Sequence, residues 1–140
     1  MRTVIALLLA IALAPAALAW DTKKFNAKTL EKEWGLPVFS KNVVGGEVTV
    51  NDEAKEKSAE WALRRVELDA VVKFYTEKLK IEPEHTTLDT GDQRYTFKFP
   101  FDKEKRVLRR VYVKFVTEDR FVHIRFAESQ IPEGEDIPED

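Results

Sequence analysis

The sequence predicts an α+β domain of two layers, with one main helix lying across an antiparallel sheet. Two patterns predict it. Leu68, Val71, Val72, Tyr75 and Leu79 recur on one face at the helical period. Three later segments instead alternate apolar and polar residues with a period of two. A helix with one apolar stripe and a sheet with one apolar face bury both when they are stacked.

The chain opens with Met1–Ala19, which reads as a cleavable signal peptide. Arg2 supplies the positive start, Val4–Ala14 is an uncharged apolar run, Pro15 breaks it, and Ala17-Leu18-Ala19 gives the small-x-small cleavage pattern. A membrane-spanning helix takes about 20 apolar residues, so no span is expected after cleavage. Removing nineteen of the 140 residues leaves 121, the size of one domain with one modest core. Arg2 is the leader's single charged side chain, so its loss takes the formal net charge from −2 to −3. Cysteine is absent. That excludes a disulfide framework, thiolate metal ligands and lipid attachment at a new N-terminal cysteine. Asn26, Asn42 and Asn51 stand in no N-x-S/T context. Both absences point to a bacterial periplasm or exterior.

The elements follow in order. Asn26–Trp34 predicts a short helix, with Asn26 as its cap, Leu30 and Trp34 four apart, and Gly35 as its stop. Leu36-Pro37-Val38-Phe39 is extended. Val43–Val50 carries Gly45-Gly46 and is either a hairpin or one strand with a bulge. Asn51–Lys57 is a polar loop. Ser58–Val66 is a half-buried strand with Ala59, Trp61 and Leu63 pointing one way. The main helix spans Glu67–Lys80, with Glu67 and Asp69 in its first turn, Lys78 and Lys80 in its last, and Pro83 beyond. Gln93–Phe99, Arg106–Val116 and Phe121–Phe126 form an antiparallel meander joined by short polar turns. The single domain therefore runs over 20–129. Gln130–Asp140 is acidic, poor in apolar residues and expected to be disordered.

Leu36-Pro37-Val38-Phe39 followed by Asp69, Val71, Phe74-Tyr75 and Leu79 spells L-P-V-[YF] and then V-x-x-F-Y-x-x-x-L. With the leader ahead of them, these motifs make the chain resemble a loose class of small exported bacterial proteins. That class usually has Pro-Gly-Ala after the aromatic residue, where this chain has Ser40-Lys41-Asn42. The resemblance covers residues 30–126. It implies the fold and the compartment, and it implies no activity or site.

Motifs of catalysis and metal binding are missing. Histidine occurs twice, at His85 in a polar connection and at His123 on the last strand, with no second histidine at ligand spacing. Ser40, Ser58 and Ser129 lie in no Gly-x-Ser-x-Gly context. The carboxylate pairs Asp52-Glu53, Glu118-Asp119 and Glu135-Asp136 fall in turns or the tail, which seldom desolvate an acid. Gly45-Gly46 has no Lys-Ser after it and opens no helix, so it is no phosphate loop. No metal or other cofactor is expected.

Charge asymmetry is the suggestive feature. Arg94–Arg125 holds ten basic and four acidic residues, whereas Glu128–Asp140 holds six acids and no base. Lys98, Arg110, Lys114 and Arg125 share the parity opposite the apolar residues, together with Tyr112 and His123, and would meet on one sheet face. Arg109 breaks this rule, which implies either a bulge or a strand running past the helix. The expected function is a non-enzymatic exported module whose basic face binds an anionic ligand or envelope component. Export argues against intracellular nucleic acid as that ligand. The alternative is a small periplasmic enzyme with its pocket between the sheet and the N-terminal segment containing Trp34. The acidic tail could guard the basic face or be what a partner recognises.

Overall fold

A computed structural model describes residues 20–137. The leader, Met1–Ala19, lies outside the described residues. The fold is mixed α+β and sheet-dominated: β1 (Asp21–Lys24), α1 (Ala27–Trp34), β2 (Val43–Asn51), β3 (Glu56–Leu63), α2 (Leu68–Leu79), β4 (Glu84–Thr87), β5 (Gln93–Lys98), β6 (Val107–Val116) and β7 (Phe121–Gln130). All seven strands join one sheet in the order β1-β2-β3-β7-β6-β5-β4, and every neighbouring pair is antiparallel.

Both helices form where local chemistry allows them. The Asn26 side chain accepts the Thr29 N–H at 3.1 Å, and Gly35 closes α1 at φ 63° with its N–H on the Leu30 carbonyl. At the end of α2, Lys80 takes the left-handed conformation and caps onto Thr76. Val71 and Tyr75 of α2 are fully buried, as are Phe97, Val111, Val113, Val122 and Ile124 from the sheet. These sheet residues all have odd register on β5 and β6 and even register on β7, so the expected meander and its apolar face are both present.

The backbone of one residue ties α2 and the segment after α1 to the sheet. Phe39 lies in the irregular segment after α1. Its N–H donates to the Tyr75 hydroxyl at 3.3 Å, and its carbonyl accepts the Trp61 indole N–H at 2.9 Å. Burial pushes the Tyr75 phenol above its ordinary range, so it stays neutral. Tyr75 also meets Phe97 and Phe74, and Trp61 stacks on Phe25 at 4.8 Å.

The structure departs from the sequence reading at the edges. β1 and β4 were not expected. Each is four residues long and exposed throughout, so neither carries an apolar alternation. Val43–Asn51 is one strand whose register shifts between Val43 and Gly45, which decides for the bulge over the hairpin. The loop expected over Asn51–Lys57 shrinks to a tight turn, because Glu56 and Lys57 already pair with Asn51 and Val50. β3 then ends at Leu63 rather than Val66. The Arg64 N–H bonds to Asn42, and Arg65 turns at φ 55°. β7 continues to Gln130 because Ala127–Ser129 still pair on both sides. The acidic segment is described as far as Ile137. The Ile131 N–H bonds to the Arg106 carbonyl at 2.7 Å, and the Arg106 guanidinium donates to the carbonyls of Ile131 and Glu135. Arg109 sits in unbroken register with Glu128, so β6 has no bulge there. It reaches the open margin of the core face and pairs with Glu128 at 2.7 Å.

Two substitutions test this packing. A Cβ at Gly46 would stand 2.6 Å from the Glu60 carbonyl and 2.6 Å from the Trp61 Cβ, whereas one at Gly45 meets nothing. Gly46→Ala should cost about 1–3 kcal/mol by overpacking and Gly45→Ala far less, as read by urea unfolding. Tyr75→Phe removes the acceptor for the Phe39 N–H and should cost about 1 kcal/mol in the same assay.

Candidate functional site

On the face opposite the core, the register aligns side chains into cross-strand rows. One row runs Ala62, His123, Lys114 and Arg94 across β3, β7, β6 and β5. The next runs Glu47, Glu60, Arg125, Tyr112 and Thr96. A third brings Arg110 beside Lys98. Neighbouring strands stand about 4.8 Å apart, so side chains within one row are in mutual reach.

These rows line a concavity of about 660 Å³. Tyr112, Lys114, His123 and Arg125 stand in its wall, and Lys98 and Arg110 lie outside it. Lys98 is held by Glu84 at 2.8 Å. Arg94, Glu47 and Glu60 also stand in the wall and were not among the site residues expected from sequence, and Gly45-Gly46 lines it too. Arg94 was within reach of that reasoning, because it shares the parity of Lys98 on the same strand.

Several cations elsewhere on the sheet are paired with acids, although among the described residues Lys24 on β1 has no carboxylate within 4 Å. Lys57 and Arg109 share Glu128 at 3.4 and 2.7 Å, and Lys23 reaches Asp21 at 3.7 Å. Among the described residues, no carboxylate lies within 4 Å of Arg94, Lys114 or Arg125. The Arg94 guanidinium carbon is 5.8 Å from the Tyr112 ring centroid, and its Nε is buried without a hydrogen-bond partner. An arginine so placed keeps its outer N–H groups for an acceptor in the concavity.

Two aspartates brace one end of this face. Asp92 accepts the Thr117 N–H at 3.0 Å and the Thr117 hydroxyl, joining the turn before β5 to the end of β6. These bonds, with Lys114 adding to them, hold its carboxyl below the ordinary 3.8. Burial raises the Asp119 carboxyl, but the Phe121 N–H at 2.8 Å and His123 at 2.7 Å outweigh it, leaving the group lowered. His123 is thereby fixed at the rim of the concavity.

His85 lies on β4, stacked on Tyr95 at 4.5 Å and bonded to Gln93. Among the described residues, no three histidine or carboxylate side chains gather as a metal set. A second concavity, about 610 Å³, lies between α1 and β1–β2, with Trp34 in its wall. Its acids, Asp21, Glu33 and Asp52, are all exposed, and exposure is unfavourable for raising a carboxyl to act as a general acid. No protein-family model matches the chain, and no curated protein does.

Both lowered carboxylates predict acid sensitivity of a definite sign. Each contributes stability that is fully present above the unfolded-state value and is lost as pH falls through the folded one. Asp92→Asn should start from a lower stability at neutral pH and lose less than the wild type between about pH 4 and pH 2. Urea midpoints measured across that interval check it.

Proposed function

We propose that the chain is an exported, non-enzymatic binding module that holds an anionic ligand, or an anionic component of a bacterial envelope, on the outer face of its sheet. The observation that carries this reading is the group of Arg94, Lys114 and Arg125 in one concavity with no carboxylate within 4 Å among the described residues. Cations gathered on a concave wall raise the local potential and draw anions to it. Arginine adds planar, bidentate recognition of a carboxylate or phosphoryl group.

The fold enters the proposal as two layers. Both helices then cover one face, with Trp34 of α1 against Phe126 at 5.7 Å and Tyr75 of α2 against Phe97 at 6.0 Å, and the other face is left for a ligand. Export rests on the leader motif and on the resemblance to small exported bacterial proteins. Among the described residues, no helix is long and apolar enough to cross a membrane.

The test compares two triple variants of equal charge change. Arg94→Gln/Lys114→Gln/Arg125→Gln should weaken salt-sensitive binding to heparin, used as a polyanionic probe, by about tenfold or more. Lys28→Gln/Lys32→Gln/Lys73→Gln removes three exposed cations from the helices and should leave binding close to wild type. Equal losses in both variants would reduce the effect to net charge and sink the assignment.

A further inference from the structure

The concavity has two poles. Lys114 and Arg94 occupy one side, on β6 and β5, and Glu47 and Glu60 the other, on β2 and β3. Arg125 and Tyr112 lie between them in the row that contains both glutamates. Glu47 and Glu60 are directly opposite one another in the register, and both are exposed. Like charges in that position repel. Glu60 has Arg125 as its neighbour on the other side, and Glu47 has Lys24. Among the described residues, neither glutamate has a cation within 4 Å.

The signs decide which ligand suits this arrangement. A plain anion would satisfy Arg94 and Lys114 and leave the two carboxylates facing each other. A ligand that also carries an ammonium group would place it between Glu47 and Glu60 and relieve their repulsion. Three permanent cations and two carboxylates leave the wall at +1, which matches a phosphate monoester of charge −2 joined to one ammonium. Glu60 on β3 and Lys114 on β6 are two strand steps apart, about 10 Å, and Glu47 on β2 and Arg94 on β5 are four steps apart, about 19 Å, so a short zwitterion meets Glu60 and Lys114 first and the outer pair reaches inward to it. Tyr112 offers an apolar ring to such a linker, with the Arg94 guanidinium carbon 5.8 Å from its centroid.

We infer that the concavity recognises a zwitterionic phosphoryl-amine group, with the phosphoryl oxygens on Arg94 and Lys114 and the ammonium on Glu47 and Glu60. This rests on the anion-binding reading above and narrows it to one class of ligand. The group can arrive as a free phosphorylated amino alcohol, the monoester that matches the wall's charge, or as the headgroup of an aminophospholipid, whose phosphodiester carries only −1.

Calorimetric titration of the full mature chain distinguishes the two levels. O-phosphorylethanolamine should bind on the order of tenfold more tightly than glycerol 3-phosphate, and ethanolamine alone should not bind measurably. Glu47→Gln/Glu60→Gln, both exposed and checked for an unchanged melting temperature, should abolish that preference, with glycerol 3-phosphate binding at least as tightly as to the wild type because the wall loses two negative charges. Arg94→Gln/Lys114→Gln should lose both ligands. Equal wild-type affinity for the two phosphates overturns the zwitterion inference and leaves anion binding standing. An unchanged preference in the glutamate variant overturns the assigned ammonium site. Absence of binding to either phosphate overturns both readings. Vesicles of phosphatidylethanolamine in neutral phosphatidylcholine then separate the sources. Retention of the protein supports the inference with a lipid surface as the source, and binding of the soluble compound alone supports it with a free ligand.

Discussion

The backbone of Phe39 is held on both sides, at its N–H and at its carbonyl, and much of the molecule depends on it. A segment without regular structure that passes through a core must find partners for its backbone groups. Here the sheet supplies one through Trp61, and α2 supplies the other through Tyr75. Leu36 and Val38 of the same segment are buried beside it. The pair of bonds fixes the seating of α2 against β3. It also fixes the parity of β3, because Trp61 must face the core. Glu60 and Ala62 then have to face outward, toward β7's His123 and Arg125. An interior bond thus decides what the opposite face of the sheet presents.

Ionic groups on the two faces are handled differently. At the open margin of the core face, Arg109 and Lys57 converge on one carboxylate, Glu128, and Lys57 lies 4.7 Å above the Trp34 ring. Those charges are neutralised where apolar packing ends. On the other face Lys98 pairs with Glu84 at 2.8 Å, but within the concavity the glutamates lie on β2 and β3 and the cations on β5, β6 and β7. The same sheet therefore ends its core with paired charge and lines a concavity with segregated charge. Segregation of that kind favours recognition over stability, since exposed pairs contribute little to folding in any case.

The alternation rule made the centre of the sheet legible. Residues such as Val111, Val113 and Ile124 announce their face because polar side chains or the Tyr112 phenol flank each of them. The rule fails where no face is buried. Asp21–Lys24 and Glu84–Thr87 are strands solely through backbone pairing with a neighbour, and backbone pairing leaves no mark on side-chain pattern. Ala127–Gln130 is hidden for the same reason. The candidate face was partly legible. Its cations declared themselves by parity, and Arg94 was available by the same rule. Glu47 and Glu60 were not, because their approach to Arg125 follows from β3 lying beside β7, a pairing between strands distant in sequence. Arg109 was the informative exception: its parity is correct, and its partner is an acid from the segment beyond the last apolar alternation.

The short outer strands bear on how such a protein stays in solution. A seven-stranded open sheet has two rows of unpaired backbone groups, and these can recruit a strand from another molecule. Here both edges are four residues long, exposed on both faces, and carry Asp21, Lys23 and Lys24 on one side and Glu84 and His85 on the other. Such an edge gives an incoming strand few hydrogen bonds and buries charge against it. The two edges are therefore poor templates for pairing with another chain, and that protection comes from two strands that contribute almost nothing to the core.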